Sequence, residues 1–204
     1  MQSSAKTALL EAIAGQNRGI LSSPDDQTAI LEMVSRLEAD NPVSDPLNHP
    51  EMLDGDWRLL YTTSNELLGI NRFPLYALGQ VYQCVRTRDA RIYNLAEVNG
   101  LPLLNGLVSV TAQYEATSDR RVNVSFNRAI FGLQSLVSYH TPASFINQIE
   151  AGESFRAIDF KITNREQRGW LEITYLDEDC RVGRGNQGSV FVLTKPTTTS
   201  GISS

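Results

Sequence analysis

The sequence predicts a mainly β domain, an antiparallel sandwich or closed barrel, with a helical pair at its N-terminus and one short helix inserted among the strands. Three observations predict it. From Leu53 onward the chain breaks into short runs of alternating apolar and polar residues with brief links. Helical spacing is confined to residues 3–40 and to a stretch after Thr141. The block GWLEITYLDEDCRVGRGNQGSVFVLTK, residues 169–195, joins two strand-like runs through glycines.

The helical pair comes first. Leu9, Leu10 and Ile13 recur at helical spacing, and Gly15 and Gly19 mark the stop. The second helix starts with Ser23 as N-cap, Pro24 at the first helical position and Asp25 and Asp26 in the first turn. Ile30, Met33, Val34 and Leu37 then make one apolar stripe, read as packing on the main body, with a partner- or membrane-facing stripe as the alternative. Residues 41–50 hold three prolines and read as a linker.

Strand candidates follow at 56–63, 79–86, 91–98, 107–114, 121–128, 131–139, 157–164, 170–176, 181–183 and 189–194. Val122, Val124 and Phe126 share a face opposite Asn123, Ser125 and Asn127. Ile158, Phe160 and Ile162 oppose Asp159 and Lys161; Leu171, Ile173 and Tyr175 oppose Glu172 and Thr174. One wet and one apolar face per strand belongs to antiparallel sheets. Thr141 and Pro142 open the inserted helix, with Phe145, Ile146 and Ile149 as its buried face. The expected division is 1–50 for the helical extension and linker, 51–196 for the barrel and 197–204 for a flexible tail.

Composition narrows the function. The 204 residues suffice for one domain with its own core. A net charge of −5 argues against a nucleic-acid partner. No run of about 18 apolar residues offers a transmembrane helix. The N-terminus reads as neither a secretory signal nor a transit peptide, so the expectation is a cytosolic or peripheral protein. Cys84 and Cys180 lack metal spacing and read as small buried residues. His49 sits in the linker and His140 ends a strand-like run, and neither reads as a ligand or base.

Gly183, Gly185 and Gly188 spell G-x-G-x-x-G, but they lead into Ser189-Val190-Phe191-Val192-Leu193-Thr194, a strand rather than a helix. A dinucleotide site needs a helix N-terminus there, so the glycines read as a hairpin. There is no G-x-S-x-G, H-E-x-x-H or Cys/His cluster. The acidic run Asp177-Glu178-Asp179 lacks calcium-loop spacing and reads as a turn paired with Arg181 or Arg184. No catalytic residue, metal or required cofactor is expected.

Two links are too apolar for surface loops: LLGINRFPLYAL at residues 67–78 and GLPLLNG at residues 100–106. Leu67, Leu68, Phe73, Leu75, Leu101, Leu103 and Leu104 are therefore candidates for an entrance or a membrane-facing rim. Tyr61, Tyr114, Phe126, Phe160 and Ile173 are candidate walls of a ligand cavity. Gly55-Asp56-Trp57 opens the first strand with G-x-W. In lipocalin-type barrels such a tryptophan plugs the narrow end under an arginine, a role open here to Arg181 or Arg184.

LDGDWRLLYTTSNELLG, FPLYALGQVYQCV and the 169–195 block together resemble the plastid lipid-associated protein, or plastid fibrillin, family. The lead-in LLEAIAGQNRGILSSPDDQTAILEMVSRLEADNP is similar to that of close members, so the resemblance runs from about Lys6 to Lys195. Cys180 departs from the pattern, which usually has an aliphatic residue there. The resemblance implies a lipocalin-like barrel that binds or organises lipophilic molecules: carotenoid, prenylquinone or other lipid. It implies association with thylakoid membranes or plastoglobules and a link to photoprotection. A protein that coats lipid droplets or docks on a lipid-biosynthetic enzyme is the alternative it leaves open. The family has no established catalytic residues to carry over. The missing leader is read as that of a cyanobacterial member, or of a plant protein in its mature, plastid form.

Overall fold

The computed structural model describes residues 4–69, 75–101, 104–163 and 168–195. Two helices lead. α1 is Ser4–Ile13, and α2 is Pro24–Ala39 with Ser23 and Asp26 forming a reciprocal capping box. A 3-10 turn at Pro46–Asn48 and the short α3, Pro50–Leu53, fill the Pro-rich link. The strands are β1 Gly55–Thr62, β2 Ala77–Arg86, β3 Arg91–Asn99, β4 Gly106–Ala116, β5 Arg121–Leu133, β6 Ile158–Lys161, β7 Arg168–Leu176, β8 Cys180–Gly185 and β9 Val190–Thr194. Between β1 and β2 lies α4, Asn65–Leu68; between β5 and β6 lies α5, Pro142–Glu150, capped by Thr141 with Pro142 at its start.

All pairings are antiparallel, in the order β4-β3-β2-β1-β9-β8-β7-β5, and β4 returns to β5 to close an eight-stranded barrel. The β4–β5 pairing closes the ring over the stretch where β5 pairs with β7. β6 stands outside the ring, added to the distal half of β5.

Two sequence-derived strands, 121–128 and 131–139, are in fact the single long β5 followed by a turn. The link between them, Ala129-Ile130, contains no turn residue, and both side chains are buried. The turn comes later, where Leu136 and Val137 N–H groups donate to the Leu133 carbonyl and Ser138 takes a positive φ of 52°. β5 serves two neighbours. Residues Arg121 to Ser125 pair with β7, and Arg128 to Phe131 pair with β6. Past Ser125 the wall therefore splits, with β6 on one side and β7 on the other.

Both outer faces of the barrel are clad by helices. Leu9, Ile13, Ile30, Val34 and Leu37 of α1 and α2 pack on Tyr61, Tyr175, Cys180, Val182, Val190 and Val192. Phe145, Ile146 and Ile149 of α5 pack on Cys84, Tyr93, Leu95, Leu107 and Ile130. Both cysteines are buried and free. Burial pushes both thiols up, Cys180 to about 12, so neither is a ready thiolate.

Ion pairs fix the helical pair in register. Arg184 grips Glu38 of α2 through two hydrogen bonds of 2.8 and 2.7 Å, and Thr174 donates to the same carboxylate. Lys6 of α1, only 4% exposed, reaches Asp177 at 2.7 Å and also bonds Asp179. The acidic turn thus pairs with Lys6 rather than with Arg181 or Arg184. Lys6 lies three and seven residues before Leu9 and Ile13, so the apolar stripe of α1 aims its ammonium at the barrel.

Burial works against the charge on Asp177, but hydrogen bonds from Lys6, from the Tyr175 hydroxyl and from the Asp179 and Cys180 N–H groups hold its carboxyl below the usual range. A carboxyl depressed by folding stabilises the native state fully above its unfolded pKa. That contribution is lost as pH falls through the folded value. Lys6→Met should therefore cost about 2 kcal/mol at pH 7. In urea melts the gap between wild type and variant should narrow progressively below about pH 4.

Candidate functional site

The barrel interior divides into a packed floor and an open upper half. Trp57 is the largest side chain at the floor and is fully buried. Its Nε1 donates to the Leu53 carbonyl of α3 at 2.8 Å. Leu59, Val85, Ile173, Leu176 and Leu193 pack around it, and Ile92, Ala112 and Val122 continue the floor beside it. Arg181 and Lys195 lie against the indole, 4.7 and 4.8 Å from its ring. Arg181, not Arg184, is thus the arginine that covers the tryptophan. Arg184 points outward to α2.

Arg181 is 2% exposed. Burial lowers the pKa of its guanidinium, and no carboxylate contacts it among the described residues. Its terminal nitrogen donates to Gln83 Oε1. Gln83 Nε2 in turn donates to Asn94 Oδ1 at 3.2 Å. The Arg181 Nε has no hydrogen-bond partner.

Above this floor lies a cavity of about 860 Å³. Val81, Gln83, Ile92, Asn94, Val110, Val124, Phe126, Ala129, Phe131, Trp170, Leu171, Phe191 and Leu193 are among its lining residues. The lining is mainly apolar; among the described lining residues only Glu66 and Lys161 carry charge. Its mouth is the end where β1 gives way to α4, where β6 leads toward β7, and where the β8–β9 turn passes Asn186 and Ser189. An 860 Å³ space suits one lipid-sized molecule.

The predicted wall residues separate into two groups. Phe126 and Phe160 line the cavity. Tyr114 and Ile173 lie lower, in the packed floor. Tyr61 faces the opposite way, fully buried beneath α1 and α2. The cause is a β-bulge: Leu59 pairs with Leu193, but Tyr61 pairs with Val192, so Leu60 is an extra residue. Trp57 and Leu59 face inward, and the bulge turns Tyr61 outward. A second bulge does the same in β7, leaving Ile173 inside and sending Tyr175 to the helices. The single face read for Leu171, Ile173 and Tyr175 is thereby split.

The described rim candidates lie on links at the same end of the barrel as the mouth. Leu67 lines the cavity from α4, and Leu68 beside it is half-buried. Leu75, Leu101 and Leu104 are exposed, by 74, 51 and 40%. Phe73 and Leu103 lie outside the described residues. The two apolar loops touch: a Cβ at Gly100 would come within 2.9 Å of the Tyr76 ring and 2.5 Å of the Leu104 carbonyl. β6 extends this surface. The apolar face expected to be buried there is exposed, with Ile158 at 68% and Phe160 at 47%. Phe160 stacks on Phe131 with ring centres 6.1 Å apart. β6 adds to the sheet where the ring has opened, so its inner face has no opposite wall.

Sequence reasoning passed over Gln83, Asn94, Val110, Phe131 and Phe191. The first two had a signal. Val81, Gln83 and Val85 share one parity in β2, and Ile92, Asn94 and Ala96 share one in β3. A polar side chain inside an apolar alternation marks an interior hydrogen-bonding point.

The family model described as PAP_fibrillin matches residues 3–194. The chain belongs to this family. It is 30% identical to the chromoplast-specific carotenoid-associated protein of Cucumis sativus over 93% of this chain and 67% of that one. It is 30% identical to a light-induced chloroplast protein of Solanum demissum, of which it covers 66%, and to plastoglobulin-1 of Pisum sativum, of which it covers 60%. The chain thus spans about two thirds of the length of these relatives. No solved structure matches it significantly. No helix among the described residues is long and apolar enough to cross a membrane. No group of three or more His, Cys, Asp or Glu among them could hold a metal ion.

The plug is the part whose removal should be felt most. Trp57→Ala should destabilise the protein by about 4 kcal/mol, the loss of a fully buried ring plus the hole it leaves. Guanidinium unfolding followed by circular dichroism would measure it.

Proposed function

We propose that this protein is a non-catalytic carrier of lipophilic molecules that works at a lipid surface. The observation that carries the reading is the 860 Å³ apolar chamber, which opens at the same end as the exposed apolar rim. A carotenoid, a prenylquinone or another long-chain lipid fits the chamber's chemistry. Burial of its surface would supply affinity at roughly 25 cal/mol per Å². The rim, Leu75, Tyr76, Leu101, Leu104, Ile158 and Phe160, would rest on a thylakoid- or plastoglobule-type surface, so that the ligand passes between bilayer and chamber without crossing water. The names of the cucumber and pea relatives, which refer to carotenoid association and plastoglobules, support this reading. They support a plastid or photosynthetic-membrane setting as well.

The absence of catalysis is part of the proposal. The acidic turn is consumed by Lys6 and by backbone donors, which suits a structural staple better than an acid–base pair.

The breadth of the exposed rim favours one rival, a protein that coats droplets, or docks on a lipid-biosynthetic enzyme, and leaves the chamber unused. Two variants separate the readings. Val110→Trp, which fills the chamber from β4, should abolish co-purification of pigment or quinone from a photosynthetic host, read by native mass spectrometry and absorbance. It should leave flotation with liposomes intact. The double variant Leu104→Asp, Phe160→Asp should do the reverse, weakening flotation several-fold. Wild-type protein that carries no lipophile from such a host would decide for the coat.

A further inference from the structure

The chamber has a polar point whose direction is fixed from below. Arg181 has only donors, so the Gln83 oxygen must face it. Gln83 then turns its NH₂ toward Asn94, and Asn94 must answer with its oxygen. The Asn94 NH₂ group is left with no partner in the described protein. Each step passes donor character upward, from a cation that no carboxylate among the described residues neutralises to an amide at the chamber wall. Both amides are half-buried and line the cavity beside the apolar Val81, Ile92 and Val110, and Tyr82 is the one other polar side chain that β2, β3 and β4 contribute among the described lining residues. A half-buried donor facing a mainly apolar space gains free energy when a ligand acceptor meets it.

We infer that the chamber selects amphiphiles with a hydrogen-bond-accepting oxygen at one end, a quinone or ketone carbonyl or a carboxylate, seated head-down on Asn94 and Gln83 with the chain toward the mouth. This rests on the lipid-carrier reading above and adds to it a head-group class and an orientation. A plain hydrocarbon would fill the same volume but leave the donors unmet. A site built to hydrogen-bond one group discriminates strongly against an analogue that lacks it. Lys195, the second cation at the Trp57 ring, adds to the positive potential beneath the amides.

The two tryptophans make the orientation measurable. Trp57 lies at the floor, and Trp170 is half-buried at the mouth, beneath the Arg121 guanidinium at 4.4 Å. Trp170→Phe leaves Trp57 as the sole tryptophan. A decyl-substituted benzoquinone should quench Trp57 in that protein. Dodecanoate and dodecane are then scored by how they displace the quinone. Asn94→Leu should weaken quinone or dodecanoate about tenfold, the equivalent of one good hydrogen bond, and leave dodecane unchanged. Asn94→Asp, nearly the same shape, keeps the bond from Gln83 but offers the head an acceptor, and should weaken it further. Thermal melts of each variant verify the fold. Loss confined to the quinone assigns a carbonyl head, and loss confined to dodecanoate a carboxylate. Equal affinities in wild type and both Asn94 variants would overturn the inference while leaving the lipid site standing, as would quenching confined to Trp170 in protein that retains it. If none of the three probes binds the folded protein, the carrier reading itself falls.

Discussion

The contact between Arg181 and Trp57 organises this molecule. A closed eight-stranded barrel tapers at one end, and only a large ring fills that taper without leaving a void. Trp57 supplies it. The indole then needs a donor for its face and an acceptor for its nitrogen, and it takes Arg181 for the first and the Leu53 carbonyl for the second. Sealing the floor sets the height at which packing stops. Everything above Gln83 and Asn94 is left to form a chamber. The plug also drags a cation into the interior, and the cation dictates how both amides point. Structural support and ligand chemistry are therefore one arrangement.

The second organising feature is the pair of bulges in β1 and β7. A barrel strand has one parity inside and the other outside. Here each of the two strands changes parity part-way along. Trp57, Leu59 and Ile173 serve the interior, while Tyr61 and Tyr175 serve the helical pair on the outside. The helices gain a continuous apolar seat without any cost to the floor. Lys6 and Glu38 then lock that seat with charges from two different helices, both to the β7–β9 region.

Much of this was legible in the chain. Helix starts are local events, decided by a capping side chain and a proline within four residues. Ser23–Asp26 and Thr141–Pro142 could be read directly. Strand existence was legible from alternation, and the hairpin nature of the 183–188 glycines from the β-branched run after them. The apolar links were legible as unusual, and their described residues lie at the barrel end where the chamber opens. Less legible was the division of β5. Alternation ends where a strand turns over, and it also falters at a bulge such as the one in β5 itself, where Asn127 is an extra residue opposite Thr111 and Ala112 of β4, so one strand reads as two.

By itself the sequence determined the strand and helix content, the tryptophan plug and the family. These follow from residue type and short-range spacing, which act over a few residues. Only the tertiary structure decided which arginine covers Trp57, that Lys6 holds the acidic turn, and that Tyr61 leaves the interior. It alone decided that Gln83 and Asn94 meet across β2 and β3. Those outcomes depend on register and on bulges. A shift of one residue reverses a side chain's face, and the pairing that fixes it is made with a strand far away in the chain.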